Sequence, residues 1–136
     1  MAKYVYPAIF QTEKVGGYSV TFPDLLGCCT EGDTLEEAIE MGRDALGLYI
    51  YSLEEEKAHI PTPSKPEQIQ TNPGQFVTLI DVDMIEYRKK HDNRAVKKTL
   101  TIPVWLNTIA EKNNVNFSQL LQNALIEHLH LKDSQK

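Results

Sequence analysis

The sequence predicts an α+β chain in two parts: a β-β-α-β domain over residues 1–83 and a strand–helix–helix unit over residues 96–131. Three observations predict it. Apolar side chains alternate with period two near the start, and they recur at helical spacing over residues 35–53. A second alternating run then ends on Pro103, with two short amphipathic segments behind it. The chain has 136 residues, 41% hydrophobic and 24% charged, which is the composition of a folded protein and not of a disordered one. No apolar run approaches the roughly 18 residues of a membrane span. The first residues, MAKYVYPAIFQTEK, lack a basic start followed by an apolar core, so a cytoplasmic location without a secretory signal is expected.

The elements follow in order. Tyr4, Tyr6, Ala8 and Phe10 alternate with Val5 and Ile9 as a strand. Pro7 has no N–H to give a ladder, so this strand should lie at an edge or turn Pro7 away from its neighbour. Gly16-Gly17 signals a hairpin, and Tyr18, Val20 and Phe22 form the return strand. Cys28-Cys29 follow a turn marked by Gly27. An adjacent pair suits redox or metal chemistry, but with no other thiol and no CxxC spacing these read as small packing residues. Thr34 and Glu37 make a capping box, and the helix behind it runs to Glu54-Glu55-Glu56. Gly42 and Gly47 cost such a helix about 1 kcal/mol each relative to alanine, which marks close packing on the sheet. Residues 57–75, punctuated by Pro61, Pro63, Pro66, Pro73 and Gly74, read as an irregular loop. Residues 76–83 (FVTLIDVD) complete the sheet, residues 84–91 read as a short helix, and residues 84–95 form a basic linker.

In residues 96–102 Leu100 and Ile102 point one way, and Lys97, Thr99 and Thr101 the other. Pro103 suits a first helical turn. Leu106, Ile109 and Ala110 stripe a helix ending near Asn113-Asn114, and Asn116 with Gln119 starts a second carrying Phe117, Leu120, Leu121, Ala124 and Leu125. One strand and two helices below about 40 residues rarely fold unaided. A second copy solves this: two strands pair into an antiparallel ribbon and four helices close over it, with Leu100, Ile102, Leu106 and Leu121 at the dimer contact. The outer face then carries Lys97, Thr99 and Thr101, and a two-stranded ribbon fits the DNA major groove. Lys98 lies on the inner side, where its stem can snorkel to a phosphate, and Arg94 also reaches backbone phosphate. The free N–H groups at Asn116, Phe117 and Ser118 form an anion site at the second helix. Residues 132–136 are a tail.

Charge divides the same way. Residues 1–75 hold five basic and twelve acidic side chains, while residues 76–136 hold nine and seven. Residues 88–98 alone carry Arg88, Lys89, Lys90, Arg94, Lys97 and Lys98 against Asp92. An acidic front suits a basic partner and a basic tail suits nucleic acid.

The tail resembles the ribbon-helix-helix DNA-binding family through Lys97-Lys98-Thr99-Leu100-Thr101-Ile102-Pro103 and Asn113-Asn114-Val115-Asn116-Phe117-Ser118, with Asn114 where glycine is frequent. That resemblance implies base contacts from the outward strand residues and a phosphate on the second helix's first amides. The front is similar to the N-terminal domain of HicB-type antitoxins. The carrying segments are Gly17-Tyr18-Ser19-Val20-Thr21-Phe22-Pro23-Asp24-Leu25-Leu26-Gly27-Cys28 and Gly32-Asp33-Thr34-Leu35-Glu36-Glu37-Ala38. Leu26 stands where that family usually has proline. The resemblance implies a partial ribonuclease H-like fold that binds and silences a small mRNA-cleaving HicA-type toxin, joined to a ribbon-helix-helix unit that represses the shared operon. The implied partners are that toxin, double-stranded operator DNA and a second copy, with pairing of dimers into tetramers left open. Asp24, Glu31 and Asp33, on the strand-to-helix connection, are the candidate toxin contacts. No cofactor, metal or catalytic residue is implied.

Two other classes stand beside this one. A ribonuclease H-like sheet could hold metal carboxylates, with Asp81 and Asp83 on one strand face joined by Asp24, Glu37 or Asp44, which would make a metal-dependent nuclease. A tail that only dimerises, or a stand-alone dimeric regulator, would use the same apolar residues without a toxin. His128 and His130 face different sides of a helix and make poor joint ligands, and His59 and His91 read as surface.

Overall fold

β1 (Lys3–Thr12) runs through the middle of a four-stranded antiparallel sheet of order β3-β2-β1-β4. The computed structural model describes residues 2–131; the 132–136 tail expected above lies outside them. β2 (Tyr18–Thr21) returns from the hairpin, where Gly16 and Gly17 take φ of 95° and 84°. It pairs only with Ile9–Thr12 of β1, whereas β4 (Gln75–Asp83) pairs with β1 from Lys3 to Gln11. Pro7 therefore sits where β1 has a strand neighbour on one side alone, in keeping with its missing donor.

One strand was not expected. β3 (Cys29–Gly32) adds to the outer edge of β2, so the order is β-β-β-α-β and not β-β-α-β. CTEG lacks the β-branched and aromatic run that announces a strand. It pairs because the edge of β2 needs a partner and Gly32 lets the next helix approach. The two cysteines separate accordingly: Cys28 is buried with Sγ–H directed at the Ala45 carbonyl, while Cys29 is exposed, so only the first is a packing residue.

α1 (Leu35–Glu55) covers one sheet face with Ala38, Gly42, Leu46, Gly47 and Ile50 buried. Thr34 accepts from the Glu37 N–H, and Glu37 accepts from the Asp33 N–H, so the capping box closes one residue earlier than its usual form. Tyr6, Phe10, Val20, Phe22, Leu25, Ile80 and Val82 complete the core. Gly42 meets Ile80 and Val20 of the sheet as expected; Gly47 instead meets the Tyr87 ring of α2 (Met84–His91). Asp83 caps α2 by accepting from Ile85 and Glu86 N–H.

The 57–75 loop holds a single 3-10 turn, Pro66–Gln68, and is tied down at several points, among them the Gly74 carbonyl, which accepts from the Thr12 N–H. Tyr6 Oη donates to the Pro61 carbonyl, and Ser64 donates through its N–H and hydroxyl to Asp24. α2 then docks on α1, with Arg88 joined to Glu54 and Glu55 and lying 4.6 Å above the Tyr51 ring, and Tyr51 Oη donating to Asp92. These contacts carry the first compact unit to Asn93, beyond the expected boundary at 83, and absorb α2 from the expected 84–95 linker.

The second unit starts at Arg94. Residues 92–103 form neither helix nor strand. The expected 96–102 strand has no ladder partner within one chain. α3 (Val104–Lys112) and α4 (Phe117–His128) follow. Asn116 accepts from the Gln119 N–H, but the Gln119 amide donates to Asn123 and does not return to Asn116, so only half of the expected capping box forms. α1, α3 and α4 each end in a Schellman motif with a left-handed residue that is not glycine: Lys57 at φ 54°, Asn114 at 54° and His130 at 55°. At the α3 end, for example, Val115 N–H reaches the Ala110 carbonyl and Asn114 N–H that of Glu111. Among the described residues no helix is long and apolar enough to cross a membrane.

A Cβ at Gly32 would collide with the backbone of Glu37 and Ala38, and one at Gly47 with the Tyr87 ring. Gly32→Ala should cost more stability than Gly47→Ala, because backbone cannot step aside, and both should fall at about 1–3 kcal/mol in urea unfolding. Adding Tyr87→Ala should offset part of the Gly47→Ala loss and none of the Gly32→Ala loss. Equal behaviour of the two in that cycle would contradict these contacts.

Candidate functional site

The second unit presents its apolar residues to water. None of residues 94–131 is buried; Trp105 is 65% exposed and Leu100 60%. Lys98, Leu100 and Ile102 share one side of the extended segment. With Phe117, Leu120 and Leu121 of α4 they line an open hollow of about 530 Å³. Lys97, Thr99 and Thr101 are absent from that lining and exposed, which is the alternation expected of them. Leu106 faces solvent on α3 at 41% exposure, and Leu121 is half-buried. At the start of α4, Asn116 uses its side chain on Gln119. The first-turn N–H groups of Phe117 and Ser118 have no intrahelical acceptor. Arg94 opens this unit.

The basic run of residues 88–98 is divided by the fold. Arg88 and Lys89 are engaged on the first unit, Arg88 with Glu54 and Glu55 and Lys89 with Glu86. Burial alone would lower the Arg88 pKa, but the hydrogen bond and charge of Glu54, then of Glu55, outweigh it and raise it. Arg94, Lys97 and Lys98 belong to the second unit. By unit the charge contrast is larger than by halves: residues 1–93 hold eight basic and sixteen acidic side chains, residues 94–136 six and three.

In the first unit the three expected toxin contacts differ in their surroundings. Asp24 is taken up by Ser64, Glu31 lies exposed on β3 opposite Ser19, and Asp33 is exposed ahead of the α1 cap. Four of the five carboxylates considered for metal chemistry, all but Asp44, are occupied separately. Asp81 pairs with Arg43 at 3.0 Å, Asp83 caps α2, Asp24 holds Ser64, and Glu37 accepts from Asp33. Among the described residues no group of three or more His, Cys, Asp or Glu is placed to hold a metal ion.

A second apolar hollow, of about 450 Å³, lies between the turn after β2 and the later half of α1. Cys28, Cys29, Ala45, Leu48, Tyr49 and Leu53 line most of it. Sequence reasoning passed over it because its two sides are distant in the chain, although the apolar Leu48 on the water-facing side of a helix was a readable signal.

Comparison with known proteins accords with this two-part architecture. The model of the HicB-like antitoxin of bacterial toxin–antitoxin systems matches residues 6–125. An uncharacterized 14.9 kDa protein from the rep-hol intergenic region of Haemophilus phage HP1 is 34% identical over 128 residues, covering 84% of this chain and 93% of that protein. Antitoxin HicB 1 of Photorhabdus laumondii is 43% identical over 60 residues, which is 43% of this chain and 39% of the antitoxin. Among solved structures, a toxin–antitoxin complex from Streptococcus pneumoniae superposes with a TM-score of 0.60 at 28% identity, over 93% of this chain and 99% of that one. The Burkholderia pseudomallei antitoxin HicB shares the fold, at a TM-score of 0.54 and 23% identity over 93% of this chain and 98% of its own. A match running from the first sheet strand into α4 spans both units, and on that ground the chain belongs to the HicB-like antitoxin family of bacterial toxin–antitoxin systems.

Proposed function

We propose that this chain is a non-enzymatic, cytoplasmic antitoxin with a division of labour between its units. The first, read as a partial ribonuclease H-like domain, binds and neutralises a small basic mRNA-cleaving toxin of the HicA type. The second pairs with that of another copy as a ribbon-helix-helix dimer and represses the operon that encodes both proteins. The observation that carries the reading is the contrast in burial. The first unit has a complete core, while the second keeps every described residue at least partly in water and turns Leu100, Ile102 and Leu121 toward one hollow. Such a unit gains most by meeting its own copy, because pairing supplies the missing strand and covers the apolar face at once. The outward side of the paired segment then offers Lys97, Thr99 and Thr101 to base edges. Arg94, Lys98 and the amides of Phe117 and Ser118 serve phosphates. Asp24, Glu31 and Asp33 remain toxin contacts in this reading, with Asp24 available only once Ser64 gives way.

Dimer formation is tested by Leu100→Asp. A carboxylate in the shared apolar face should convert a sedimenting dimer to monomer at micromolar concentration and abolish operator binding. An unchanged dimer would remove Leu100 from the contact.

Separate roles for the units predict that residues 1–93, checked for folding by circular dichroism, restore growth to cells making the cognate toxin. A folded fragment that fails to do so would return toxin binding to the whole chain, and no effect of full-length protein either would favour a stand-alone regulator.

DNA binding is tested by titrating operator and scrambled DNA over several salt concentrations. Lys97→Ala should cost about 1–3 kcal/mol on operator alone. Arg94→Ala should weaken both DNAs alike and lower the salt slope by about one. Equal loss on both DNAs for Lys97→Ala would make it a phosphate contact, and no binding by the unaltered protein would leave dimerisation as the tail's role.

A further inference from the structure

The first unit is acidic everywhere except at its end. Of its eight basic side chains, Arg88, Lys89 and Lys90 fall in the last turn of α2, beside His91. α2 sets those three against Glu86 alone, whereas the rest of residues 1–93 has five basic and fifteen acidic side chains. Cations in a last turn complement the helix dipole whatever else they do. The docking of α2 sorts them further. Arg88 is engaged by Glu54, Glu55 and the Tyr51 ring, and Lys89 reaches Glu86 at 3.6 Å. Lys90 is exposed and has no ion pair among the described residues. Neither has Lys3, which lines the same open hollow of about 280 Å³. Of the carboxylates in that lining, Asp81 pairs with Arg43, Glu86 with Lys89, and Asp83 accepts from α2 N–H groups, which leaves Asp44. His91 stacks on Tyr87 at 4.3 Å, and Asp92 accepts from Tyr51 Oη. Contacts on both sides of Lys90 thus hold the end of α2 in place.

The covalent chain decides what Lys90 can meet. Only Asn93, Arg94 and Ala95 separate Asp92 from Val96, where the segment read as a ribbon strand begins. Four Cα steps reach about 14 Å at full extension. In an antiparallel ribbon the two strands start at opposite ends, so a ribbon in the major groove leashes one α2 end near each rim of that groove. A unit with twice as many acidic as basic side chains is repelled by nearby phosphates unless the part that comes closest is basic, and α2 is that part. We propose that the exposed end of α2 is a second, sequence-independent DNA contact: Lys90, helped by Lys3 of the same hollow, meets backbone phosphates within about five base pairs outside the ribbon's own site, once on each flank. The proposal rests on the ribbon-helix-helix reading and lengthens its operator. Charge selects the occupant, since a basic toxin is repelled from this end of the unit and duplex DNA is attracted to it.

The test is a fluorescence-anisotropy titration of the full chain with two duplexes. One is about 30 base pairs from upstream of the chain's own gene, centred on the site it protects from hydroxyl radicals. The other has the same sequence with neutral methylphosphonate linkages over about five base pairs on each flank. Neutral flanks should weaken binding of the unaltered chain about tenfold. Lys90→Ala should weaken binding to the charged duplex about fivefold or more, flatten its salt dependence, and leave the neutral-flank duplex within about twofold. Lys90→Arg should restore the charged-duplex affinity. Lys65→Ala removes a cation of the same unit from the 57–75 loop and should change neither titration. Equal binding of the two duplexes, with Lys90→Ala neutral on both, would overturn the flank contact and leave the ribbon reading intact. Equal loss on both duplexes for Lys90→Ala would put that lysine within the ribbon's own site, and a matching loss for Lys65→Ala would reduce the effect to net charge. Either result overturns the proposal. No binding of either duplex by the unaltered chain would overturn the ribbon reading with it.

Discussion

The pairing of β1 with β4 is the interaction on which the first unit depends. It joins Lys3 to Asp83 and Gln11 to Gln75, so it closes a loop of most of the unit's length around a single ladder. Closure over such a separation is entropically costly, and the hydrophobic face beneath offsets it: Tyr6, Ala8 and Phe10 from one strand, Ile80 and Val82 from the other, all against α1. The ladder's end also starts the next element. Met84 N–H reaches the Ala2 carbonyl, and Asp83, the last ladder residue, caps α2. α2 therefore begins in a fixed place and direction, and its docking through Tyr87 and Arg88 follows from the strand before it.

The two units handle apolar surface in opposite ways. In the first, burial is complete enough that its exposed leucines stand out as individual features. In the second, exposure is the rule, and helical stripe and extended segment turn the same way toward a hollow. Most helical stability in proteins comes from packing of an amphipathic face, and α3 and α4 are short for independent helices. Their caps supply local order: Asn116 on Gln119 N–H, and Asn114 in the left-handed turn between them.

Much of this was legible in the sequence where the signal is local. The Thr34 cap, the Gly16-Gly17 turn and the 35–53 periodicity rest on neighbours a few residues apart, and the structure has each at its expected position. β3 was not legible because its four residues carry no pattern, and it exists only as an addition to β2. The end of the first unit was misplaced at 83 because the contacts that extend it cross more than thirty residues: Arg88 to Glu54 and Glu55, Tyr51 to Asp92, Tyr87 to Gly47. The same distance hid the Ser64 hold on Asp24 and the hollow beside α1. For the candidate surfaces, strand alternation sorted Lys97, Thr99 and Thr101 from Lys98, Leu100 and Ile102, whereas charge counting grouped Arg88 and Lys89 with a basic run from which folding removes them.

The helix ends leave this chain a margin of reserve stability. An L-residue in the left-handed region costs roughly 1–2 kcal/mol, which asparagine partly avoids and lysine and histidine do not. Lys57 and His130 bear that strain at exposed positions just past α1 and α4, where neither side chain lines a described hollow. Glycine would relieve most of it, less the roughly 0.5–1 kcal/mol of extra freedom it gives the unfolded chain. The resistance of this protein to unfolding can thus be set at two backbone positions, one in each unit, independently of the surfaces with which it meets its partners.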